Sequence, residues 1–523
     1  MWEPSMMCKL PLRQASKAMV VCIGLVATMT WATESQERLV IADAQGDWGL
    51  LAPYLHQARG PGYVYTSFVF DSLLWKDDQG KIQPLLATDW SSDDEQRCYT
   101  FTLNAQAKWH DGNQLDAEDV AFTFSYIQQH PYRFVDTHQV SSINTTPDQV
   151  EICLDSPDPL FIERVASTLP IMPQHIYAEV DNPDHFAQPA ALIGSGPYIL
   201  DQYQRAQGFY QLRRNEHWHL GLPRYAEVVI TRLSPQAAAV AMQQGEVDLM
   251  SITYEFIDLF QSAGANLLET ASNHPYRLLF NHQQSFQSVR LRQGLAQAIN
   301  RQQLIDLAFH GKAQTARPAY RQQGRMAGLN PYLFDLNSAR STLQQAGWQQ
   351  DTQGRWLDEQ QQPVQLKLVA SANAAQLVKV LAQQFNALGL ELTIRLLQDV
   401  PLTKAVQDLD FDLALLSQSH QGDPDRFRTL LTGRHSRGDN YTANHELIDL
   451  LEQMQASQSR IDREDLFLKA EQLYNADLPS LPLVNPTNFT AERVTTGAAY
   501  TPEGIAMGIP LAFNKFSLFL PQP

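Results

Sequence analysis

Two histidine motifs carry the side chains in this sequence that are most suited to chemistry. The segment Trp109–Gly112 (WHDG) places an imidazole next to a carboxylate, an arrangement that could move a proton. The segment Glu216–His219 (EHWH) places two imidazoles two residues apart, on one face if the segment is a strand. An Asp-Gly turn explains the first segment better than catalysis does. The second segment has no third metal ligand nearby, so we expect two surface histidines and no metal site there.

The sequence lacks the motifs of covalent catalysis and of phosphate binding. It contains no G-x-S-x-G, no H-E-x-x-H, no phosphate loop and no dinucleotide fingerprint. The segment Gly194–Gly196 lacks the glycine spacing of a phosphate loop and predicts a tight turn. Asp423 and Asp425 flank Pro424 in a loop that offers no partner for acid/base work. We therefore expect no catalytic residues, no metal, no cofactor and no enzyme activity.

The second half of the chain predicts the elements that would position binding loops. Apolar residues alternate over Val364–Ala370 and again over Leu390–Leu396, as they do in strands. Between these runs, Leu377–Leu388 repeats apolar residues at helical spacing, and Phe411–Leu416 is a nearly continuous apolar strand. A strand–helix–strand crossover of this length is typical of a parallel βαβ unit. The pattern therefore predicts an α/β fold for at least this part of the chain.

Other elements are marked by shorter patterns. The run Asp116–Asp119 places acidic side chains where a helix N-terminus favours them, so a helix is expected to begin near Asp116. The remaining expected elements are a strand at Arg38–Asp43, a helix from Ala237 to Gly245, a strand at Val247–Met250 and a helix at Ile461–Asn475.

Length and charge exclude two classes of protein. The chain has 523 residues, of which 44% are hydrophobic, so it is not disordered throughout and has room for two or three folded units. Its net charge is -17, and a chain this acidic would approach a nucleic acid against its own electrostatic field. We therefore expect no nucleic-acid partner.

The first 32 residues have the features of a secretory signal peptide. Met1–Lys17 is basic, Ala18–Met29 is apolar, and Thr30–Ala32 places small residues at the cleavage positions. The apolar run is shorter than the roughly 20 residues that span a bilayer. Lipid anchoring at Cys22 is not expected, because Met19–Val21 lacks the small residues that precede a lipidated cysteine. The sequence thus predicts an exported protein.

Two cysteines remain after removal of the signal peptide. Cys98 and Cys153 both lie in runs that resemble strands, and an oxidising compartment favours their pairing. We expect a structural disulfide between them.

The order of the motifs resembles the family 5 extracellular solute-binding proteins, which are the peptide/nickel-type receptors of ABC importers. The matching stretches run in family order over about residues 38–485, so the resemblance covers most of the chain. These stretches are Leu85–Trp90, Tyr99–Leu103, Lys108–Gly112, Asp116–Val120, Gly194–Tyr198, Arg214–Trp218, Gly245–Asp248, Phe280–Asn281, Val289–Arg301, Ala339–Trp348 and Pro479–Leu483.

The resemblance implies a two-lobed α/β fold of the periplasmic-binding-protein kind (type II, cluster C-like). An extra subdomain would be inserted in the first lobe. The implied boundaries are 1–32 for the signal peptide, 33–59, 190–274 and 481–523 for the first lobe, 60–189 for the inserted subdomain, and 275–480 for the second lobe.

The implied function is that of a periplasmic receptor for an ABC importer. The lobes would close about hinges at Pro275–Asn281 and Pro479–Asn485, because a ligand that touches both lobes favours the closed state. The implied partners are a small solute, expected to be a peptide, and the permease in the inner membrane. We expect a monomer that uses no cofactor.

One departure from the family pattern bears on the ligand. In peptide-binding members, an aspartate three residues before an acidic-proline pair anchors the ligand's amino terminus; here the pair is Asp423-Pro424, and His420 stands at the anchoring position. A neutral imidazole lacks the full negative charge that an ammonium group needs. Asp423 or Asp425 could supply it instead, and the alternative is that both are turn residues. The nickel branch has an arginine where this chain has Leu169. The alternatives left open are a peptide, a glycoside, a metal chelate such as a nickel complex, and a chemosensory role.

Ligand contacts are expected from loops that follow strands, because open α/β sheets bind ligands at the carboxyl ends of their strands. Aromatic walls with few polar groups would suit a peptide, a glycoside or an organic chelate. For each aromatic residue the alternative is plain packing under a loop. The predicted contacts are Tyr63, Tyr65, Tyr254, Phe256, Ser417, His420, Gln421 and Asp423.

Overall fold

The computed structural model describes residues 38–320, 326–417, 424–432, 444–457 and 459–521. Its strands are β1 Arg38–Asp43, β2 Leu74–Lys76, β3 Ile82–Pro84, β4 Ala87–Ser92, β5 Cys98–Leu103, β6 Val140–Thr145, β7 Gln149–Leu154, β8 Tyr198–Gln204, β9 Phe209–Arg214, β10 Glu227–Arg232, β11 Leu249–Ile252, β12 Asn266–Ala271, β13 Tyr276–Phe280, β14 Ala313–Thr315, β15 Gln349–Gln350, β16 Trp356–Leu357, β17 Gln365–Ser371, β18 Glu391–Leu397, β19 Leu413–Ser417 and β20 Ser480–Glu492. Its helices are α1 Pro61–Thr66, α2 Ala117–Gln129, α3 Gln174–Tyr177, α4 Pro235–Gln243, α5 Ile257–Ser262, α6 Val289–Gln297, α7 Arg301–Ala308, α8 Leu336–Gln345, α9 Ala375–Leu388, α10 Asp399–Gln407, α11 Pro424–Leu431, α12 His445–Ala456, α13 Arg460–Asp477 and α14 Lys515–Phe519. Within these described ranges, no helix combines the length and the apolar character needed to cross a bilayer.

Helix α2 shows how local side-chain chemistry sets the start of an element. Asp116 is its N-cap, and the Asp116 carboxylate accepts hydrogen bonds from the backbone N–H groups of Glu118 and Asp119. The Asp119 carboxylate in turn accepts from the backbone N–H of Asp116 at 3.2 Å. This reciprocal capping box satisfies N–H groups that a helix start otherwise leaves unpaired. The helix start predicted near Asp116 is confirmed.

The second lobe is built on the predicted βαβ unit, which is confirmed. Strand β17 pairs in parallel with both β18 and β19, and α9 forms the crossover. The apolar residues of α9 are buried at the spacing read from the sequence, and the helix ends at Gly389, whose backbone is left-handed. We call the unit formed by β13, β14, β17–β19 and α6–α9 the second lobe. Its core includes Leu278, Leu295, Leu368, Leu381, Phe385, Leu413 and Leu415.

The first lobe is a mixed sheet around β1, which pairs in parallel with β10 and with β11. Strands β10, β9 and β8 continue this sheet as antiparallel neighbours. The strand predicted at Val247–Met250 begins two residues later than expected, at Leu249. The reason is Asp248, whose carboxylate accepts a hydrogen bond from the Val40 N–H at 2.8 Å and forms an ion pair with Arg493.

Strand β20 belongs to both lobes. Its first half pairs with β13 and β14 of the second lobe, and its second half pairs with β11 and β12 of the first lobe. The resulting sheet runs in the order β18-β17-β19-β13-β20-β11-β1-β10-β9-β8. The two lobes therefore share one continuous strand, in agreement with the two-lobed α/β class.

A separate antiparallel sheet, in the order β4-β5-β7-β6, packs against α2. Cys98 on β5 and Cys153 on β7 lie directly opposite each other and are joined by a disulfide. The core of this sheet is independent of the two lobe cores and is formed by residues that include Phe101, Trp109, Phe124, Val150, Ile152 and Phe161.

The WHDG motif and the Gly194–Gly196 turn are packed against each other. The His110 ring accepts a hydrogen bond from the Gly194 N–H at 3.2 Å and donates one to the Gly196 carbonyl at 3.0 Å. Glycine is required here, because a Cβ atom at Gly194 would lie 2.0 Å from the Val69 carbonyl oxygen. Burial lowers the pKa of His110, which keeps the ring neutral. Both motifs are thus structural turns, as the sequence predicted.

A buried ion pair fixes the C-terminal segment inside the first lobe. Lys515 and Asp71 are both fully buried, with 2.6 Å between Nζ and Oδ1. The second carboxylate oxygen of Asp71 accepts a hydrogen bond from the Trp218 indole at 2.9 Å, and the ammonium group lies 4.3 Å from the centre of the Trp75 ring. Burial lowers the pKa of Lys515. Removing either charge would leave its partner buried and uncompensated.

We predict that Lys515→Met lowers the free energy of unfolding by about 3–5 kcal/mol, because the Asp71 carboxylate loses its buried cation. Chemical denaturation of both proteins, followed by tryptophan fluorescence, measures the difference.

Lys404→Met is the matched control, since Lys404 forms an exposed ion pair with Asp408 at 2.7 Å. Its unfolding should be indistinguishable from that of the wild type. Equal losses in the two variants would show that the buried pair contributes no more than a surface pair.

Candidate functional site

A cleft of about 690 Å³ lies beside β20, at the point where this strand passes from the second lobe to the first. Its volume falls in the range of small-molecule sites. Its wall includes residues from both lobes and from β20 itself. The lining residues are Ser251, Ile252, Thr253, Tyr254, Glu255, Tyr276, Ala308, Phe309, Asn373, Ala374, Gln376, Leu377, Pro486, Thr487, Asn488, Phe489, Tyr500, Pro510 and Leu511.

Tyr254 connects the two walls of the cleft. It follows β11 on the first lobe, and its hydroxyl donates a hydrogen bond to the carbonyl of Ala308, the last residue of α7 on the second lobe, at 2.7 Å. Its ring centre lies 5.9 Å from the ring centre of Phe309 and 5.4 Å from that of His310. One side chain thus contacts both lobes through a hydrogen bond and through ring packing.

The second-lobe wall is formed at the carboxyl end of one strand and the start of another. Asn373, Ala374 and Gln376 follow β17, at the beginning of α9. Tyr276 opens β13, and its ring centre is 5.9 Å from that of Phe309. This position agrees with the rule that α/β sheets bind ligands beyond the carboxyl ends of their strands.

Aromatic rings and uncharged polar groups dominate the cleft. Tyr500 is hydrogen-bonded to Thr490 at 2.9 Å, and burial raises the pKa of Tyr500 to about 12. The Ser251 hydroxyl and the Asn488 amide nitrogen are both buried and have no hydrogen-bond partner among the described residues. Both atoms are enclosed by the protein, so neither presents an accessible hydrogen-bonding group to the cleft in this arrangement.

The chemistry of the wall suits binding. Among the described lining residues, none forms a nucleophile–base pair, and no group of three potential metal ligands occurs in the described chain. Aromatic faces provide apolar contact area for a ligand, and a few amide and hydroxyl groups fix the orientation of that ligand.

The structure places the predicted contact residues in different environments. Tyr254 lines the cleft, whereas Phe256, which is half-buried, packs on the apolar core beside α5. Ser417 is exposed at the end of β19, where its hydroxyl donates to the His274 carbonyl at 3.3 Å. The predicted contacts His420, Gln421 and Asp423 lie outside the described residues.

Tyr63 and Tyr65 lie in the core of the first lobe. They are 5% and 1% exposed. The Tyr63 hydroxyl donates to the Thr168 carbonyl at 2.7 Å, and the Tyr65 hydroxyl donates to the Asp43 carboxylate at 3.1 Å. In this structure both side chains are packed in the core, which was the alternative to a ligand contact. A tyrosine can hydrogen-bond its hydroxyl in a core as well as in a cleft.

The expectation of two surface histidines in the EHWH motif was wrong for one of them. His217 is exposed, but the His219 side chain is only 1% exposed and lies 4.0 Å from the Asp71 carboxylate. Its Nε2 is 3.1 Å from the Leu85 carbonyl, and burial lowers the pKa of His219. Its burial follows from the neighbouring Trp218, whose indole is anchored on the same carboxylate.

Four aromatic lining residues were not predicted from the sequence, namely Tyr276, Phe309, Phe489 and Tyr500. Tyr276 lies inside the predicted hinge segment Pro275–Asn281, and a position between the two lobes could have indicated that it lines the cleft. Phe309 and Tyr500 gave no signal, because the tertiary fold alone brings the end of α7 and the segment after β20 to the cleft.

The chain matches a known family over most of its length. A profile described as "Bacterial extracellular solute-binding proteins, family 5 Middle" matches residues 81–439.

Individual relatives agree with this match. A Brucella ovis protein named as an ABC transporter peptide-binding protein is 28% identical over 316 residues, which cover 58% of this chain and 59% of that protein. The dipeptide-binding protein of Escherichia coli is 23% identical over 508 residues, which cover 90% of this chain and 93% of that protein. The structure of NikA from Brucella suis in complex with Fe(III)-EDTA superposes with a TM-score of 0.81 and 19% identity, covering 93% of this chain and 100% of that chain. At that identity the structural likeness shows the fold alone.

We predict that Tyr254→Phe destabilises this lobe arrangement, relative to more open ones, by about 1 kcal/mol of free energy. The reason is that no hydroxyl remains to donate a hydrogen bond to the Ala308 carbonyl across the cleft. The ratio of this arrangement to more open ones should fall about fivefold. Pulsed electron paramagnetic resonance between spin labels at the exposed Asp201 and Lys379, one on each lobe, reports the distance distribution.

Tyr126→Phe is the matched control. The Tyr126 hydroxyl also donates to a backbone carbonyl, that of Val180 at 2.6 Å. Tyr126 lies on α2, in the core of the separate β4-β5-β7-β6 sheet, so this hydrogen bond does not cross the cleft. Tyr126→Phe should leave the distribution unchanged. If Tyr254→Phe also leaves the distribution unchanged, the cross-cleft hydrogen bond does not hold the lobes together.

Proposed function

This chain belongs to the bacterial extracellular solute-binding proteins of family 5, and from that premise we propose that it is the substrate-binding component of an ABC importer. It captures an oligopeptide-like solute by hinge closure and delivers it to the membrane permease. Family members bind solutes and in general catalyse no reaction, in agreement with the absence of catalytic motifs from the sequence.

The cleft beside β20 is the observation that carries this proposal. Residues of both lobes line it, so a solute placed there would contact both walls at once. Such a solute binds the closed arrangement more tightly than an open one and shifts the population toward closure. Tyr254 makes the same kind of connection within the protein, between β11 and the end of α7.

A peptide is the solute that we favour. The Brucella ovis and Escherichia coli relatives are named for peptide and dipeptide binding. The cleft wall has uncharged polar side chains, such as Asn373 and Thr487, for a peptide backbone and aromatic rings for its side chains. His420 at the anchoring position keeps a non-peptide solute, such as a glycoside or a metal chelate, as the second candidate.

The proposal includes export, domain boundaries and partners. Residues 1–32 would be removed on export to the periplasm, and the mature protein would work as a monomer with the inner-membrane permease. The first lobe would comprise 33–59, 190–274 and 481–523, with 60–189 inserted in it, and the second lobe would comprise 275–480.

We predict that native mass spectrometry of the protein, isolated from its own periplasm, shows a series of bound masses that fragment as peptides. The physical reason is that a cleft that forms hydrogen bonds with the peptide backbone binds peptides of different sequence with similar affinity. A single non-peptide mass would instead assign the protein to another solute class.

Uptake provides the second measurement, because it distinguishes transport from sensing. A strain lacking this protein should lose uptake of the peptides that mass spectrometry identifies, and the intact gene should restore it. Undiminished uptake together with a lost response to those peptides would indicate a chemosensory receptor.

A further inference from the structure

Glu255 is the charged side chain on the cleft wall, since every other described lining residue is uncharged. It follows Tyr254 directly, beyond the carboxyl end of β11, and it is exposed. No lysine or arginine of the described chain lies within 4 Å of its carboxylate. A negative charge therefore faces the cleft without a cation bound to it from the described part of the protein.

Glu255 shares the cleft wall with aromatic residues. Tyr254 and Tyr276 stand on opposite lobes, and Phe309 packs against both of their rings. Burial, with the neighbouring Glu255 carboxylate as the next cause, raises the pKa of Tyr254 to about 12 and also raises the pKa of Tyr276. The Glu255 carboxylate is therefore close enough to interact electrostatically with one tyrosine on each wall.

A carboxylate beside aromatic faces is the environment that proteins use to recognise organic cations. The carboxylate supplies a full opposite charge, and the rings present the negative faces of their quadrupoles to the cation. An anionic ligand group would be repelled at the same place. Uncharged side chains elsewhere on the wall, such as Asn373 and Asn488, can orient a solute, but they do not distinguish cationic solutes from others.

We propose that Glu255 binds a positively charged nitrogen of the solute between Tyr254 and Tyr276, so that the protein selects cationic solutes. This inference rests on the proposed function. It adds that the solute is positively charged and that Glu255 is the residue that binds the charged group. The cation comes either from the amino terminus of a peptide or from a basic side chain, which share the same ammonium or guanidinium chemistry.

Affinity selection from three tripeptide pools distinguishes these sources. The first pool has free amino termini and no lysine or arginine. The second pool is N-acetylated and contains lysine and arginine, and the third is N-acetylated and lacks both. The wild type, freed of bound solute by unfolding and refolding, should retain the first or the second pool at least about tenfold better than the third.

Glu255→Gln should abolish this preference while leaving the thermal unfolding midpoint unchanged, because the side chain is exposed and the replacement keeps its shape. Asp258→Asn is the matched control, since Asp258 is an exposed carboxylate three residues further on that does not line the cleft. It should keep the full preference of the wild type.

Two results would overturn the inference while leaving peptide binding intact. One is equal retention of all three pools by the wild type, and the other is an unchanged preference in Glu255→Gln.

If the wild type retains no pool, the proposed function fails, and 1,5-diaminopentane then serves as a plain ammonium probe. Stabilisation of the wild type but not of Glu255→Gln by this probe would uphold the cation site for a non-peptide solute. Equal stabilisation of the two proteins, or no stabilisation, would overturn the inference as well.

Discussion

The arrangement of the whole molecule depends on one strand that two lobes share. Because β20 pairs with β13 on one side of Pro486 and with β11 on the other, the lobes cannot separate without breaking one of these two ladders. In the proposed hinge closure, the lobes would rotate about the short stretch where one set of partners replaces the other. Pro486 lies at this change and cannot donate a backbone hydrogen bond, which makes the stretch the natural site of bending. The cleft lies beside the same stretch, so any motion of the hinge changes its width.

Each lobe contains contacts that tie its own segments together. In the first lobe, the buried pair of Asp71 and Lys515 ties the C-terminal segment to the core. The His110 ring holds the Gly194–Gly196 turn. In the second lobe, α9 packs along the parallel strands with its whole apolar face. Rigid bodies joined at one flexible stretch convert a small local preference of a ligand into a large change of shape.

The sequence predicted the parts of this fold that depend on local or periodic patterns. The strand–helix–strand unit and the capped start at Asp116 follow from apolar periodicity and from side-chain capping, and both are observed. The cleft was harder to predict, because a pattern of aromatic residues does not say which rings face solvent. Tyr63 and Tyr254 were both predicted as contacts from segments that follow a strand, yet Tyr63 lies in α1 within a core and Tyr254 bridges two lobes. Phe309 reaches the site only through the tertiary fold, which no local pattern encodes.

The central claim is that a solute bound beside β20 connects the two lobes. A crystal structure of the protein with the solute retained from its own cells tests this claim most directly. The account predicts electron density for that solute in the cleft, in contact with Tyr254 of the first lobe and with Tyr276 of the second. A solute bound to one lobe alone, away from β20, would contradict it.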